Sequence, residues 1–211
     1  MAPFFLAVYM EDSYPFDDIE VVRLSEIHRK FISEFACQIK DLDDFVRDDA
    51  LKQQEEAVNI TYLWISKKDG RMLSYITLCN DSIHLFGEKK DEMRQIGISY
   101  KALPALKICR MAVHKDYARR GIGTKMLAFA INIALLINQK AGCRFLTLEA
   151  KNSAELPDHG KPLHFYKKSG FEVIKERKQA ADYVPMYKDL KPIINKVRKE
   201  SFTRGTVFDE F

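Results

Sequence analysis

Residues 106–139 read LKICRMAVHKDYARRGIGTKMLAFAINIALLINQ, and the fold turns on this stretch. Leu106 and Ile108 share one strand parity, whereas Cys109, Met111 and Val113 take the other. Side chains of a regular strand alternate with a period of two, so parity should not switch. One residue inserted near Ile108 to Arg110 would switch it, as a β-bulge does; a strand buried on both faces would have no parity to lose. Downstream, Ile122, Met126, Phe129, Ala130, Ile133 and Ile137 recur at helical spacing. Lys140-Ala141-Gly142 then supplies a basic last turn and a stop. Between strand and helix lie Arg119, Arg120, Gly121, Ile122, Gly123 and Thr124. The first amides of a helix have no internal partner, and its dipole places about half a positive charge there. Glycines let an anion approach the bare backbone. The turn therefore suits phosphate or pyrophosphate; the plainer alternative is a strand-to-helix turn with solvated arginines. No Lys-Ser/Thr follows the glycines, which excludes a Walker A loop, and the missing third glycine disfavours a dinucleotide fold.

The rest of the chain supports that turn. With 211 residues, 46% of them hydrophobic, it is long enough for one sizeable domain. Lys+Arg 34 against Asp+Glu 30 gives +4, a mild bias that suits an anionic ligand without indicating nucleic acid. Cys37, Cys79, Cys109 and Cys143 are scattered with no C-x-x-C, which reads as reduced thiols in a cytoplasmic protein. The opening MAPFFLAVYMEDSYPF has no basic flank and too short an apolar run for a signal peptide or membrane span. Phe4 to Met10 reads as an added strand or a packed arm, Ile19 to Leu24 as a strand, and Ser25 to Phe35 as a short helix. Asp41 reads as the N-cap of a helix reaching about Val58. Ile60 to Ser66 and Arg71 to Cys79 read as a hairpin about Lys67–Gly70. Asn80 to Pro104 reads as a long polar connection with a helical turn in Glu88 to Arg94, part of a substrate-side wall.

In the second half, Arg144 to Ala150 is a strand, and Pro162 suits the first turn of a helix. The segment PLHFYKKSGF then ends on Gly170 and Phe171, which starts a strand to Lys175. Tyr183 to Leu190 reads as the last strand, and Pro192 opens a basic helix in a C-terminal extension. RMAVHKDYARRGIG and FYKKSGFEV, in this order and separation, resemble the GCN5-related N-acetyltransferase (GNAT) superfamily over about residues 19 to 190. The family signature Q/R-x-x-G-x-G/A reads Ala118-Arg119-Arg120-Gly121-Ile122-Gly123 here, with both glycines matched and Ala118 departing. Phe35-Ala36-Cys37, then Leu42-Asp43-Asp44-Phe45, with Arg110-Met-Ala-Val113, further resembles the toxin-type acetyltransferases, which act on aminoacyl-tRNA.

The resemblance implies an α/β (α+β) fold. Its sheet is mixed and mostly antiparallel, flanked by helices, with strands Leu106–Val113 and Arg144–Ala150 splayed. It implies an arm at 1–18, an acetyltransferase domain at 19–190 and a basic extension at 191–211. Acetyl-CoA would be the cosubstrate and a primary amine the acceptor, the amine attacking the thioester directly in a ternary complex. Met111, Ala112 and Val113 would pair with the pantetheine arm, and Arg119 to Thr124 would hold the pyrophosphate. Tyr166 would protonate the departing thiolate; its plain alternative is a core aromatic. Asn152 would hold the pantetheine, although it lies fourteen residues before Tyr166 where the family has seven, so Lys151 to Lys161 reads as an insertion. His114, His164, Glu149 or a water would serve as base. Arg110 is either a buried structural cation or a clasp for an acidic substrate. The expected partners are acetyl-CoA and an unidentified amine, with tRNA not favoured, no membrane, and room for a homodimer. No zinc-ligand spacing, Ser-His-Asp set or nucleic-acid motif appears, so no metal is expected. Two rivals are a catalytically silent acyl-CoA-binding module and an RNA-binding protein using its basic tail.

Overall fold

The computed structural model describes residues 16–152, 162–174 and 182–203. The expected N-terminal arm, most of the expected insertion before Lys161 and the end of the basic extension lie outside these residues. In chain order the elements are β1 (Ile19–Arg23), α1 (Arg29–Ser33), α2 (Lys40–Asp44), α3 (Ala50–Glu55), β2 (Ile60–Ser66), β3 (Met72–Ile83) and α4 (Gly87–Gln95). There follow β4 (Leu103–Val113), α5 (Ile122–Lys140), β5 (Phe145–Lys151), α6 (Pro162–Lys168), β6 (Glu172–Val173), β7 (Tyr183–Asp189) and α7 (Lys191–Thr203). The strands hydrogen-bond in the order β1-β2-β3-β4-β5-β7-β6. Pairs β1–β2, β2–β3, β5–β7 and β6–β7 are antiparallel, and β4 and β5 run parallel. This is the mixed, mostly antiparallel sheet flanked by helices.

The described chain packs as two units. The first joins the residues up to Asn80 with Lys107–Asn132. Its core gathers Leu24, Ile32, Phe35, Val46, Leu63 and Tyr75 with Ala112 of β4. The helical segment expected after an Asp41 cap starts two residues earlier. Ile39 is the cap residue, Asp41 falls inside α2, and the backbone winds as a π-turn over Phe45–Asp49 between α2 and α3. Asp43 is buried in the first turn and accepts the Cys37 N–H at 2.8 Å. On α5 the buried side is Ile122, Met126, Leu127, Ala130 and Ala134, while Ile133 and Ile137 are half-buried. Phe129 meets Tyr62 and Trp64 edge-on at 4.9 and 5.0 Å, tying α5 to β2. By length and composition alone α5 would also qualify as a membrane span; its packing on β2 is that of a core helix.

The second unit joins Asp81–Leu106 with the described residues from Ile133 onward. Its core gathers Ile83, Met93, Leu103, Phe145, Ile174 and Tyr187. Here the expected long loop is shorter than its polarity suggests. β3 continues to Ile83 because Asp81 has a partner, accepting the Thr147 hydroxyl at 2.6 Å. Residues 87–95 form a full helix pinned by buried Met93, and β4 starts at Leu103 despite Pro104. Pro104 is exposed and its carbonyl accepts the Arg144 N–H, a bond that needs no donor from proline. Arg144 pairs with Asp189 through both nitrogens (2.8 and 3.2 Å), and Asp189 also accepts the first amide of α7.

Candidate functional site

The site begins with the geometry of β4. Cys109 lies against Cys79, Sγ to Sγ 3.1 Å. Arg110 lies over the Phe45 ring at 5.2 Å, and Phe45 stacks on Tyr75. Ala112 is buried in the same cluster as Phe45 and Tyr75. From the His114–Leu73 bond to the Cys109–Cys79 contact β4 takes five steps and β3 six, so the pairing of the two strands is irregular over this stretch. Along β4 itself Leu106, Ile108 and Ala112 are all buried, so burial keeps one parity where a switch after Ile108 was expected. As a buried structural cation Arg110 is excluded: it is exposed, resting on Phe45.

At the end of β4 the chain is held tightly before it turns. The His114 N–H donates to Leu73 O at 2.8 Å and the Lys115 N–H to Ala36 O at 2.9 Å. The His114 ring sits edge-on to Phe35 and to Tyr117, each at 5.7 Å, and its Nδ1 accepts the Asp116 N–H. That acceptor role is the role of a turn residue. Arg120 stacks over the Tyr117 ring at 5.5 Å.

The turn then folds through two left-handed residues, Arg119 at φ 62° and Gly121 at φ 79°. A non-glycine residue in that region is uncommon and costs on the order of 1 kcal/mol. Left-handed residues among right-handed ones swing successive N–H groups to one side, which makes an anion-binding concavity. The Lys125 N–H donates to Gly121 O, the first bond of α5; the amides of Ile122, Gly123 and Thr124 precede it and have no acceptor within the helix. The first turn of α5 carries no acidic residue, and Arg119, Arg120 and Thr124 are exposed.

One residue beneath this turn escaped the sequence reading. Lys125 is only 5% exposed, and burial lowers its ammonium to about 8. Its signal was a lysine three residues after Ile122, on the edge of an apolar stripe.

In the second unit Tyr166 is buried on α6, with Phe165 and Phe171 edge-on at 5.2 and 5.6 Å. The helix ends in a Schellman motif: the Phe171 N–H donates to Tyr166 O and the Gly170 N–H to Lys167 O, with Gly170 at φ 81°. The Tyr166–Phe171 contact is the apolar pair that accompanies such a cap. Burial pushes the Tyr166 phenol well above its ordinary value, so it stays protonated at neutral pH. His164 is exposed and faces away from the buried side that Tyr166 occupies, and Glu149 is exposed on β5. Asn152 is half-buried just past β5, its N–H donating to Asp182 O.

A strand leading into a left-handed glycine turn and a helix whose first turn carries no acidic residue, within a sheet of this order, defines an acyl-CoA-type N-acyltransferase fold. Residues 60–173, more than half the chain, match the acetyltransferase (GNAT) domain family. The chain belongs to the GNAT acetyltransferase family. No curated protein matches it in sequence. Among solved structures it is similar to AtaT complexed with acetyl-methionyl-tRNAfMet (TM-score 0.68, 19% identity, covering 85% of this chain and 99% of that one). It is similar to AtaTR bound with acetyl-CoA (0.67, 21%, 86% and 99%). It is also similar to a tyrosine-to-phenylalanine mutant of KacT (0.68, 18%, 85% and 99%). At such identities the likeness is one of fold.

Proposed function

We propose that this protein transfers the acetyl group of acetyl-CoA to a primary amine by direct attack in a ternary complex. The observation that carries this is the left-handed pair Arg119 and Gly121 ahead of the bare first turn of α5. In this reading the amides from Gly121 to Thr124 hold the pyrophosphate, with Arg119 and Arg120 adding charge. Met111, Ala112 and Val113, the last three residues of β4, pair with the pantetheine arm as an added strand, and Asn152 offers it an amide. An amide near Met111 or Ala112 faces the thioester oxygen as it gains charge. The amine nitrogen attacks the thioester carbonyl, the tetrahedral oxyanion collapses, the carbon–sulfur bond breaks and the thiolate leaves. Tyr166 gives its proton to that sulfur. The acceptor nitrogen loses its own proton to Glu149, His164 or a water.

The family membership supports acetyl-CoA as cosubstrate, as does the AtaTR structure bound with acetyl-CoA. A second acceptor, the amino group of an aminoacyl-tRNA, draws support from the AtaT complex with acetyl-methionyl-tRNAfMet. One experiment separates these readings: the full chain is incubated with acetyl-labelled acetyl-CoA and a cell lysate, and label is sought in small-amine, protein and tRNA fractions. Label is expected in one of these fractions with stoichiometric release of coenzyme A. Binding of coenzyme A without release in any fraction would leave only a silent acyl-CoA module, and no binding at all would end the proposal.

A further inference from the structure

The chemistry above leaves two sulfurs unused. Cys79 on β3 and Cys109 on β4 are both half-buried, and the Cys109 thiol donates to Cys79 Sγ across 3.1 Å. Cys37 and Cys143 instead have backbone partners, the carbonyls of Ile39 and Phe145. None of the four is in a disulfide. As residue number rises along β3 from Leu73 to Cys79, the partners fall from His114 to Cys109, so β3 and β4 run antiparallel here. The two sulfurs, 3.1 Å apart, lie about 1 Å beyond the roughly 2.05 Å of an S–S bond, so a small side-chain rotation would join them. Cys109 lies on β4 two positions before Met111.

We propose that Cys79 and Cys109 form a reversible disulfide when the protein meets a peroxide, and that this bond weakens acyl-CoA binding by fixing β4 to β3 two residues before Met111. The second half rests on the reading of Met111–Val113 as the pantetheine strand. The hydrogen bond to Cys79 and burial together raise the Cys109 thiol, so Cys109 keeps its proton and Cys79 is the sulfur that reacts first. The Cys79 thiolate attacks one oxygen of hydrogen peroxide and the O–O bond breaks. The departing hydroxide takes up the proton that Cys79 lost and leaves as water. The sulfur of Cys109 then displaces the hydroxyl of the Cys79 sulfenic acid: the S–S bond forms, the S–O bond breaks, and the Cys109 proton leaves in a second water. Two thiols lose two electrons and one peroxide gains both. A thiol reductant reverses the bond, as for other disulfides exposed to a reducing compartment.

The test uses the full reduced chain treated with hydrogen peroxide. Free thiols are titrated, the product is peptide-mapped without reductant, and coenzyme A affinity is measured by calorimetry before and after treatment. The expected result is a loss of two of the four thiols, a Cys79–Cys109 linked peptide and roughly tenfold weaker binding, all restored by dithiothreitol. Four remaining thiols, oxidation of either cysteine to sulfinic acid without a link, or a link through Cys37 or Cys143 would overturn the pair. The Cys79→Ser variant should keep its affinity through the same treatment; an equal loss there would overturn the coupling. If the reduced wild-type protein binds no coenzyme A, the acetyltransferase reading fails, while the thiol count still decides the pair.

Discussion

Gly121 and Gly170 hold nearly the same backbone angle, φ 79° and 81°, yet one opens a ligand site and the other closes a helix. The difference lies in which end of a helix each adjoins. Gly121 precedes α5, where the orphan groups are donors and no acidic side chain competes for them. Gly170 follows α6, where the orphan groups are carbonyls, and its motif satisfies them through the Gly170 and Phe171 amides. A left-handed glycine is thus not itself a signal of function. It becomes one when the polar groups it exposes are left for something outside the chain.

That contrast can be broken by experiment. Gly121→Val puts a β-branched side chain at a φ of 79° and into the path of an anion. Coenzyme A affinity should fall roughly hundredfold, about 2.7 kcal/mol. Calorimetry showing unchanged binding would mean that the pyrophosphate lies elsewhere. Tyr166→Phe keeps the ring that packs on Phe171 and removes only the phenol. Turnover should fall by more than about tenfold with little change in acetyl-CoA affinity, so unchanged steady-state kcat would reduce Tyr166 to the apolar partner of its cap. Gly170→Ala has the smallest expected effect. The new Cβ would lie 2.6 Å from Lys188 Nζ, the end of a flexible side chain that can move aside. What remains is the loss of the Lys188 Nζ bond to Ser169 O and the left-handed cost of about 1–2 kcal/mol, visible as a lower urea midpoint with coenzyme A affinity unchanged. A loss of affinity in Gly170→Ala as large as in Gly121→Val would erase the distinction between the two turns.

Much of this was legible in one dimension because it follows from local rules. Gly170 and Phe171 foretold the cap of α6. The parity of β4 did not carry over: Leu106, Ile108 and Ala112 are all buried, so burial keeps one parity past Ile108. Two misreadings share a cause: a polar or helix-breaking residue was judged without its partner. Asp81 looks like loop until Thr147 donates to it, and Pro104 looks like a strand end until Arg144 reaches its carbonyl. Asp41 looks like a cap but is the second residue of α2, with Ile39 as the cap.

Spacing along the chain determined the glycine turn, the apolar helix and the family to which they belong, since each is set by neighbours within a few residues. Tertiary structure alone decided which groups are buried and what they meet: Lys125 in the interior, Arg110 on an aromatic face, Tyr166 in its cap, and Cys79 beside Cys109. The two sulfurs are thirty residues apart in the chain, and no local period brings them together. Burial and cross-strand contact depend on residues distant in sequence, and those same contacts set a thiol's or an ammonium's readiness to lose a proton.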